Sequence, residues 1–411
     1  MCSGAITAVG TGPCACPVLN SGEHVGSPLQ RKQEQLSLLK IRSKMTDLDA
    51  LVGLNLVMDI GSIRLKKLLK FFGTPRNILS APKEKLAEVG GIGDVIASRI
   101  VSLDKKDIER EFVLAEKHNF KILSLENPEY PRNLKFINDP PIILYVKGSL
   151  LPEDSLGIAI VGSRRASFYG LTNAEKFATD LAASGFTVIS GMARGIDTRA
   201  HQGVLKSGGR TIAVIGSGLR NIYPQENKRL VDEISEKGAV ISEFPVNAGP
   251  LKQNFPRRNR VISGLSLGVL VVEACRNSGA LITADFALEQ GRDVFAIPGK
   301  IDSPFSCGTN ELIKQGAKLT ASIEDILEEF PFCPQSNFSA EHGRREASPK
   351  KQQGLSCVEE RLYNIINIQP CSIDDLVQKA GMAVSEISLN LLNLQLKKKI
   401  RVLPGKIFER I

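Results

Sequence analysis

The sequence predicts an α/β protein. Its core is a Rossmann-like doubly wound parallel sheet, with a small helical domain before it and a winged-helix domain after it. Three observations carry this. Between 156 and 297, short near-continuous runs of Val, Ile and Leu recur, separated by glycine turns and helical stretches. Strands of that composition are buried on both faces, as in a parallel sheet covered by helices. Residues 45–125 show helical patterning broken by glycines, and residues 355–411 read as three helices and a hairpin.

Residues 1–44 mix Gly, Ser, Pro and Cys without periodicity. No charged stretch leads into a long apolar one, so a signal peptide is not expected. The segment reads as a disordered extension, or as an overlong start with Met45 as the initiator.

The patterned chain begins with the expected helical domain over 45–125. Thr46-Asp47-Leu48-Asp49 is a capping signal for its first helix. Asp59-Ile60-Gly61-Ser62 and Val89-Gly90-Gly91-Ile92-Gly93 are two similar glycine turns running into helices. The pair has the look of a tandem helix-hairpin-helix (SAM-like) domain. Its turns are either phosphate contacts at helix N-termini or plain glycine caps. The core is expected over 126–330. It opens with a Pro-rich connector and continues with strands at Leu156–Val161, Phe186–Ser190, Thr211–Ile215, Ala239–Ser242, Leu267–Glu273 and Asp293–Ile297. A polar stretch over 331–354, rich in Pro, Ser, Gln and Lys, reads as a linker. In 355–411, helices are expected at Val358–Ile366, Ser372–Lys379 and Ser385–Lys398, with a hairpin over Ile400–Phe408. The third helix has few cations before Lys397-Lys398-Lys399. A protein-contact or structural role is therefore as well supported as reading a DNA groove.

The net charge of +9 permits a polyanionic partner. The eight cysteines have no zinc-ligand spacing and the four histidines lie far apart. Reduced cytoplasmic thiols, no structural metal and no cofactor are expected. No apolar run reaches the length of a membrane span, so no membrane insertion is expected.

In doubly wound sheets, ligands bind beyond the carboxyl ends of the strands. Here those ends are rich in Gly and Arg: Gly162-Ser163-Arg164-Arg165 after the first, Gly191 to Asp197 (with Arg194) after the second, Gly216-Ser217-Gly218 after the third. After the fourth comes a basic loop, residues 249–260, carrying Lys252, Phe255, Arg257, Arg258, Asn259 and Arg260. Glycines let backbone N–H groups approach phosphate oxygens, cations neutralise them, and an aromatic ring can stack on an unpaired base. No third glycine completes a dinucleotide fingerprint and no Walker lysine is present. Asp197 either caps the following helix or faces the ligand. Glu273 is expected to pair with a crevice arginine rather than act as a base, and His201 to be a surface or packing histidine. No G-x-S-x-G elbow surrounds Ser163, and nothing reads as a catalytic triad.

Ordered motifs run through this region: GSR at 162–164, SGMARGID at 190–197, GSGLRNIYPQEN at 216–227, SEFP at 242–245, FPRRNRVISGLS at 255–266, VVEACRNSGALITA at 271–284, GRDVFAIPG at 291–299 and GTNELI at 308–313. Together they closely resemble the DprA (Smf) family of DNA-processing proteins, over roughly residues 46–411. The resemblance implies a dimerising core that binds and protects single-stranded DNA and helps load RecA recombinase during natural transformation. It implies strand contacts at Arg164, Lys252 and Phe255. Ser163, Arg194, Arg257, Asn259 and Arg260 lie in the same motifs and complete the expected site. The alternative is a nucleotide-processing enzyme of the lysine-decarboxylase-like (phosphoribohydrolase) type, whose P-G-G-x-G-T-x-x-E motif is missing. Because every cation-bearing turn lies in 126–330, that segment alone is expected to retain DNA binding and self-association.

Overall fold

The structure, a computed structural model, describes residues 45–57, 59–331, 357–366, 371–382, 384–396, 399–403 and 407–410. The expected extension 1–44, nearly all of the expected linker 331–354, and Lys397 and Lys398 lie outside the described residues. The chain divides into two compact units, residues 1–337 and 338–411.

The first unit is built on a nine-stranded sheet in the order β1-β2-β6-β5-β4-β3-β7-β8-β9. The strands are β1 (Lys121–Ser124), β2 (Ile143–Gly148), β3 (Gly157–Val161), β4 (Thr187–Ser190), β5 (Thr211–Val214), β6 (Ala239–Ser242), β7 (Gly268–Val271), β8 (Asp293–Ala296) and β9 (Lys318–Leu319). From β6 to β9 all pairings are parallel. The β1–β2 hairpin is added antiparallel at the β6 edge. The chain winds outward from β3 through β4 and β5 to β6. It then returns and lays β7 on the other side of β3, with Ile158 opposite Gly268 and Val161 opposite Val271. The switch in winding direction therefore falls between β3 and β7.

Alternate strand residues feed opposite faces. Ile158, Ile160, Val188 and Leu270 pack with Phe177, Leu181 and Val204 of the helices Phe168–Ala183 and Ile196–Lys206. Ala159, Val161, Ile189 and Val269 pack with Val261, Ile262, Ala284 and Ala287 of the helices Asn254–Leu265 and Gly279–Glu289. Each large side chain so buried contributes roughly 1.5–3 kcal/mol. That double burial is why the strands read as unbroken apolar runs.

The helical region packs directly on this core. Leu54, Val57, Ile60 and Leu68 share one cluster with Ile143, Tyr145, Val240 and Val246 of the sheet side. Its first helix, Asp47–Leu56, has the expected capping box: the Asp49 N–H donates to Thr46 Oγ1 at 3.1 Å and the Thr46 N–H to Asp49 Oδ2 at 2.8 Å. Gly61 and Gly93 sit at the N-caps of the helices Ser62–Phe72 and Asp94–Val101. The cations beside those turns are engaged within the pair. Arg64 donates to the carbonyls of Asp59 (2.5 Å) and Gly91 (3.0 Å), Lys67 to that of Gly90 (3.1 Å), and Arg99 pairs with Asp59 (3.1 Å). The glycine turns thus brace one another.

The second unit has helices Cys357–Ile366, Ile373–Ala380 and Val384–Leu396 and a small sheet in the order β10-β12-β11. Its strands are β10 (Cys371–Ser372), β11 (Ile400–Leu403) and β12 (Ile407–Arg410). Leu362, Ile366, Leu376, Ile387, Leu391 and Leu394 form its core. Gly381 ends the second helix at φ 65°, a conformation that favours glycine. This is a winged-helix arrangement.

Two elements differ from expectation. Lys121–Ser124, inside the region 45–125 expected to be helical, is strand β1. Residues 254–265 are not loop but helix. Pro256 falls in its first turn, where no intrahelical hydrogen bond is lost. A proline-bearing motif that looks like a loop is thus compatible with helix.

Candidate nucleic-acid interface

The carboxyl ends of β3 to β8 open into one crevice of about 1070 Å3. The turn after β3 supplies Gly162, Ser163, Arg164 and Arg165 to it. That turn is tied to its neighbours: the Ser163 N–H donates to the Glu273 carbonyl at the end of β7 (2.8 Å), and the Ile196 N–H to the Ser163 carbonyl (3.3 Å). A Cβ on Gly195 would collide with that same carbonyl, and Gly195 sits at φ 76°. Only glycine meets both demands.

Glu273 is buried and does not pair with a crevice arginine as expected. It accepts from the Ser167 N–H (2.9 Å) and the Ser167 hydroxyl, and so anchors the N-terminus of the helix Phe168–Ala183. A carboxylate is favoured there because the free N–H groups and the helix dipole are both positive. Asp197 is also buried. It accepts from the Ala193 N–H at 3.2 Å, stitching the turn before its own helix. Burial lifts its pKa to about 6, against the pull of Arg258 and of that N–H. His201 is fully buried. Its Nδ1 meets the Thr211 hydroxyl at 2.7 Å, and burial lowers its pKa to about 3. It is a packing residue.

The helix Asn254–Leu265 forms one wall of the crevice. Phe255, Arg258, Asn259 and Ile262, at i, i+3, i+4 and i+7, all line it. The Arg164 guanidinium lies 5.1 Å from the Phe255 ring centroid, within cation–π range. The Tyr223 ring is 5.8 Å from the Phe255 ring. Gly216, after β5, leaves room for that ring: a Cβ there would stand 3.0 Å from it. Lys252 is exposed at the crevice edge. Arg258 is buried, donating to the Val214 carbonyl (2.7 Å) and to that of Gly191. Burial lowers its pKa to about 10, which leaves it charged at neutral pH. A fixed cation therefore underlies the crevice. On the far side, Asn277, Ser278 and Gly279 bring the N-terminus of the helix Gly279–Glu289 to it. Positive charge, helix N-termini, glycine turns and the Phe255 and Tyr223 rings on a shared edge suit a phosphodiester chain with unpaired bases.

Of the expected site residues, Ser163, Arg164, Lys252, Phe255 and Asn259 line this crevice. The Asn259 side chain also has internal partners, the Gly279 carbonyl and Arg258. Arg194 lines an adjoining pocket of about 160 Å3 beside Phe255 and pairs with Glu226 (3.0 Å). Arg257 and Arg260 are corrections. Helical geometry turns them away from the crevice-lining face. Arg257 lies 5.4 Å over the Phe244 ring and 3.8 Å from Glu243. Arg260 is buried in an ion pair with Glu243 (2.5 Å) and Asp139 (3.3 Å). Arg258 and Tyr223 were missed. The helical spacing from Phe255 would have picked out Arg258, had the segment been read as helix. Among the described residues, no group of His, Cys, Asp or Glu could hold a metal ion. No helix among them is long and apolar enough to cross a membrane.

Comparison with known proteins agrees with this architecture. The family model described as DNA recombination-mediator protein A matches residues 121–331, and that of the DprA winged helix domain matches 346–406. Protein Smf of Escherichia coli is 42% identical over 317 residues, covering 75% of this chain and 82% of the relative. Protein Smf of Synechocystis sp. is 33% identical over 385 residues, covering 86% and 96%. The X-ray structure of DNA processing protein A from Streptococcus pneumoniae matches with a TM-score of 0.60 at 38% identity, over 70% of this chain and 98% of that one. The chain, with its switch-point crevice and its winged helix, belongs to the DNA recombination-mediator protein A (DprA/Smf) family.

Proposed function

We propose that this protein binds and protects single-stranded DNA in the strand-end crevice and hands it to RecA recombinase during natural transformation. The observation that carries the reading is the Arg164–Phe255 stack at 5.1 Å, with Lys252 at the edge of the same crevice. A ring and a guanidinium held together offer a base a stacking face and a phosphate a charge. Recognition of that kind tolerates any sequence, as a recombination mediator requires. Duplex DNA keeps its bases stacked inside, so the ring favours single strands.

In this reading the core over 126–330 holds the strand and the helical region 45–125 braces it. The segment 331–354 is a linker to the winged helix, 355–411. The protein acts in the cytoplasm as a homodimer without a cofactor. A non-enzymatic role is supported by the carboxylates on this side of the sheet: Glu273 does not line the crevice and caps a helix, and Asp197, which does line it, is buried and held by a backbone N–H. The phosphoribohydrolase alternative needs a carboxylate that can reach a substrate.

The test compares oligo-dT with blunt duplex of equal length by fluorescence anisotropy over a salt series, alongside incubation with nucleoside monophosphates. Tighter, salt-sensitive binding of oligo-dT without release of free base supports the proposal. Equal affinity for duplex, or base release, overturns it.

A further inference from the structure

We infer that Asp139 is a positioning residue for the single-strand site, and that Ser62 of the helical region sets it through one hydrogen bond. This rests on the single-strand reading above. The two oxygens of the Asp139 carboxylate serve different parts of the molecule. Oδ1 accepts from the hydroxyl of Ser62, the first residue of the helix Ser62–Phe72. Oδ2 pairs with Arg260 Nε at 3.3 Å, and the Asp139 backbone carbonyl accepts from Arg260 Nη1 at 2.5 Å. Arg260 belongs to the crevice helix Asn254–Leu265, which also carries Phe255. One carboxylate thus joins the glycine turn of the helical region to the helix that bears the stacking ring.

Ser62 and Arg260 are buried, so these charge-assisted bonds are little weakened by water. The loop around Asp139 is itself fixed. Lys66, one turn along from Ser62, donates to the Asn138 carbonyl at 3.3 Å, and the Tyr130 hydroxyl donates to the Pro141 carbonyl at 2.9 Å. The segment before it lies against the crevice helix: a Cβ on Gly264 would stand 2.9 Å from Leu134 Cδ1 and 3.1 Å from Ile137 Cδ1. Arg258 holds the crevice helix to the sheet through the Gly191 and Val214 carbonyls. A helix held on one face can still swing about that point, and the grip on Arg260, on another face, removes the freedom. Glu243 keeps the Arg260 charge paired at 2.5 Å when the Asp139 side is loosened, so Asp139 tunes position more than folding. The tolerance is small. Phe255 meets Arg164, from a separate turn, at 5.1 Å. Cation–π attraction fades beyond about 6 Å, so a swing of about 1 Å at the ring parts them.

The test is oligo-dT anisotropy on the full chain, well below its melting temperature, with Ser62→Ala and Asp139→Asn, each alone and in a Phe255→Ala background. Ser62→Ala is expected to weaken binding about two- to fivefold, the loss of one cation–π contact. Its salt slope should match wild type, because no phosphate contact is removed. In the Phe255→Ala background the same substitution should cost no further affinity, since the ring it positions is gone. If Ser62→Ala does not fold, Asp139→Asn, at a half-buried side chain, carries the same comparison. A folded Ser62→Ala chain with wild-type affinity overturns the inference while leaving the crevice reading intact. An equal loss in both backgrounds assigns Ser62 to general structure and also overturns it. A wild-type chain that binds no oligo-dT, or a Phe255→Ala chain that binds like wild type, removes the single-strand reading and this inference with it.

Discussion

Replacing Glu111 tests whether the helical region sets the loop at the crevice edge. Glu111 lies on the helix Lys105–Lys117 and is 5% exposed. Its Oε1 accepts from the Val246 N–H at 2.6 Å, across 135 residues of chain. Val246 leads into the segment that carries Lys252 and Phe255. The same stretch is held by the Gly218 N–H on the Ala248 carbonyl (2.8 Å) and the Arg220 N–H on the Val246 carbonyl (3.2 Å). Glu111→Leu removes the acceptor and leaves a buried N–H unsatisfied, at a cost of about 1–3 kcal/mol. For a domain of this size that is a fall in Tm of roughly 2–12 °C. Glu111→Gln keeps an acceptor and should lose little.

The pH dependence gives a second check. Burial holds the Glu111 carboxyl above 4.5, so the folded state binds its proton more tightly than the unfolded one. The stability that this contributes is complete below the unfolded value and is lost as pH rises through the folded value. Glu111→Gln should therefore gain on wild type as pH increases. The assays are thermal melting across pH and oligo-dT anisotropy. A Glu111→Leu protein that melts and binds like wild type would refute the bracing argument. The same contact changes the expectation for the isolated segment 126–330. Without the helices it exposes Ile143, Tyr145 and Val240, which pack against them, and it should melt lower and bind more weakly than the full chain.

Three further outcomes follow from the site. Phe255→Ala should weaken oligo-dT binding by about 1–3 kcal/mol with little change in salt slope, whereas Arg164→Ala should lower the slope by about one; equal slopes in both would argue against their separate roles. Arg260→Ala should act on folding, because it leaves buried Glu243 without its partner at 2.5 Å. Such a loss costs about 3–5 kcal/mol, read as a drop in Tm, and the salt slope of the remaining folded protein should be unchanged. Asp197 is raised from 3.8 to about 6 by burial, so its contribution to stability is present below 3.8 and lost as pH climbs through about 6. Asp197→Asn should flatten that part of the stability profile, and a profile identical to wild type would contradict it.

The parts of this molecule that were legible in its sequence share a cause. A strand buried on both faces must be apolar at every position, as Ile158–Val161 is, and a turn that crowds a neighbouring strand end must be glycine, as Gly195 is. Those demands act on residue type directly, so the sheet, its winding and the cationic edge could be read off. What was misread depends on partners distant in sequence. Glu273 looked like a partner for crevice arginines, but a helix N-terminus reaches it first. Glu111 carried no signal, because its partner is a backbone N–H in another element. The motif around Phe255 shows where the boundary lies. Its composition announced phosphate and base contacts, yet whether a given cation faces the ligand depends on the backbone period. Read as loop, Arg257, Arg258 and Arg260 are equivalent. Wound as helix, Arg258 joins Phe255 at the crevice while Arg260 turns inward to Glu243. The two arginines differ in job by two residues of helical rotation, about 200°. A motif conserving both charges would therefore combine one demand from the ligand with one from the core.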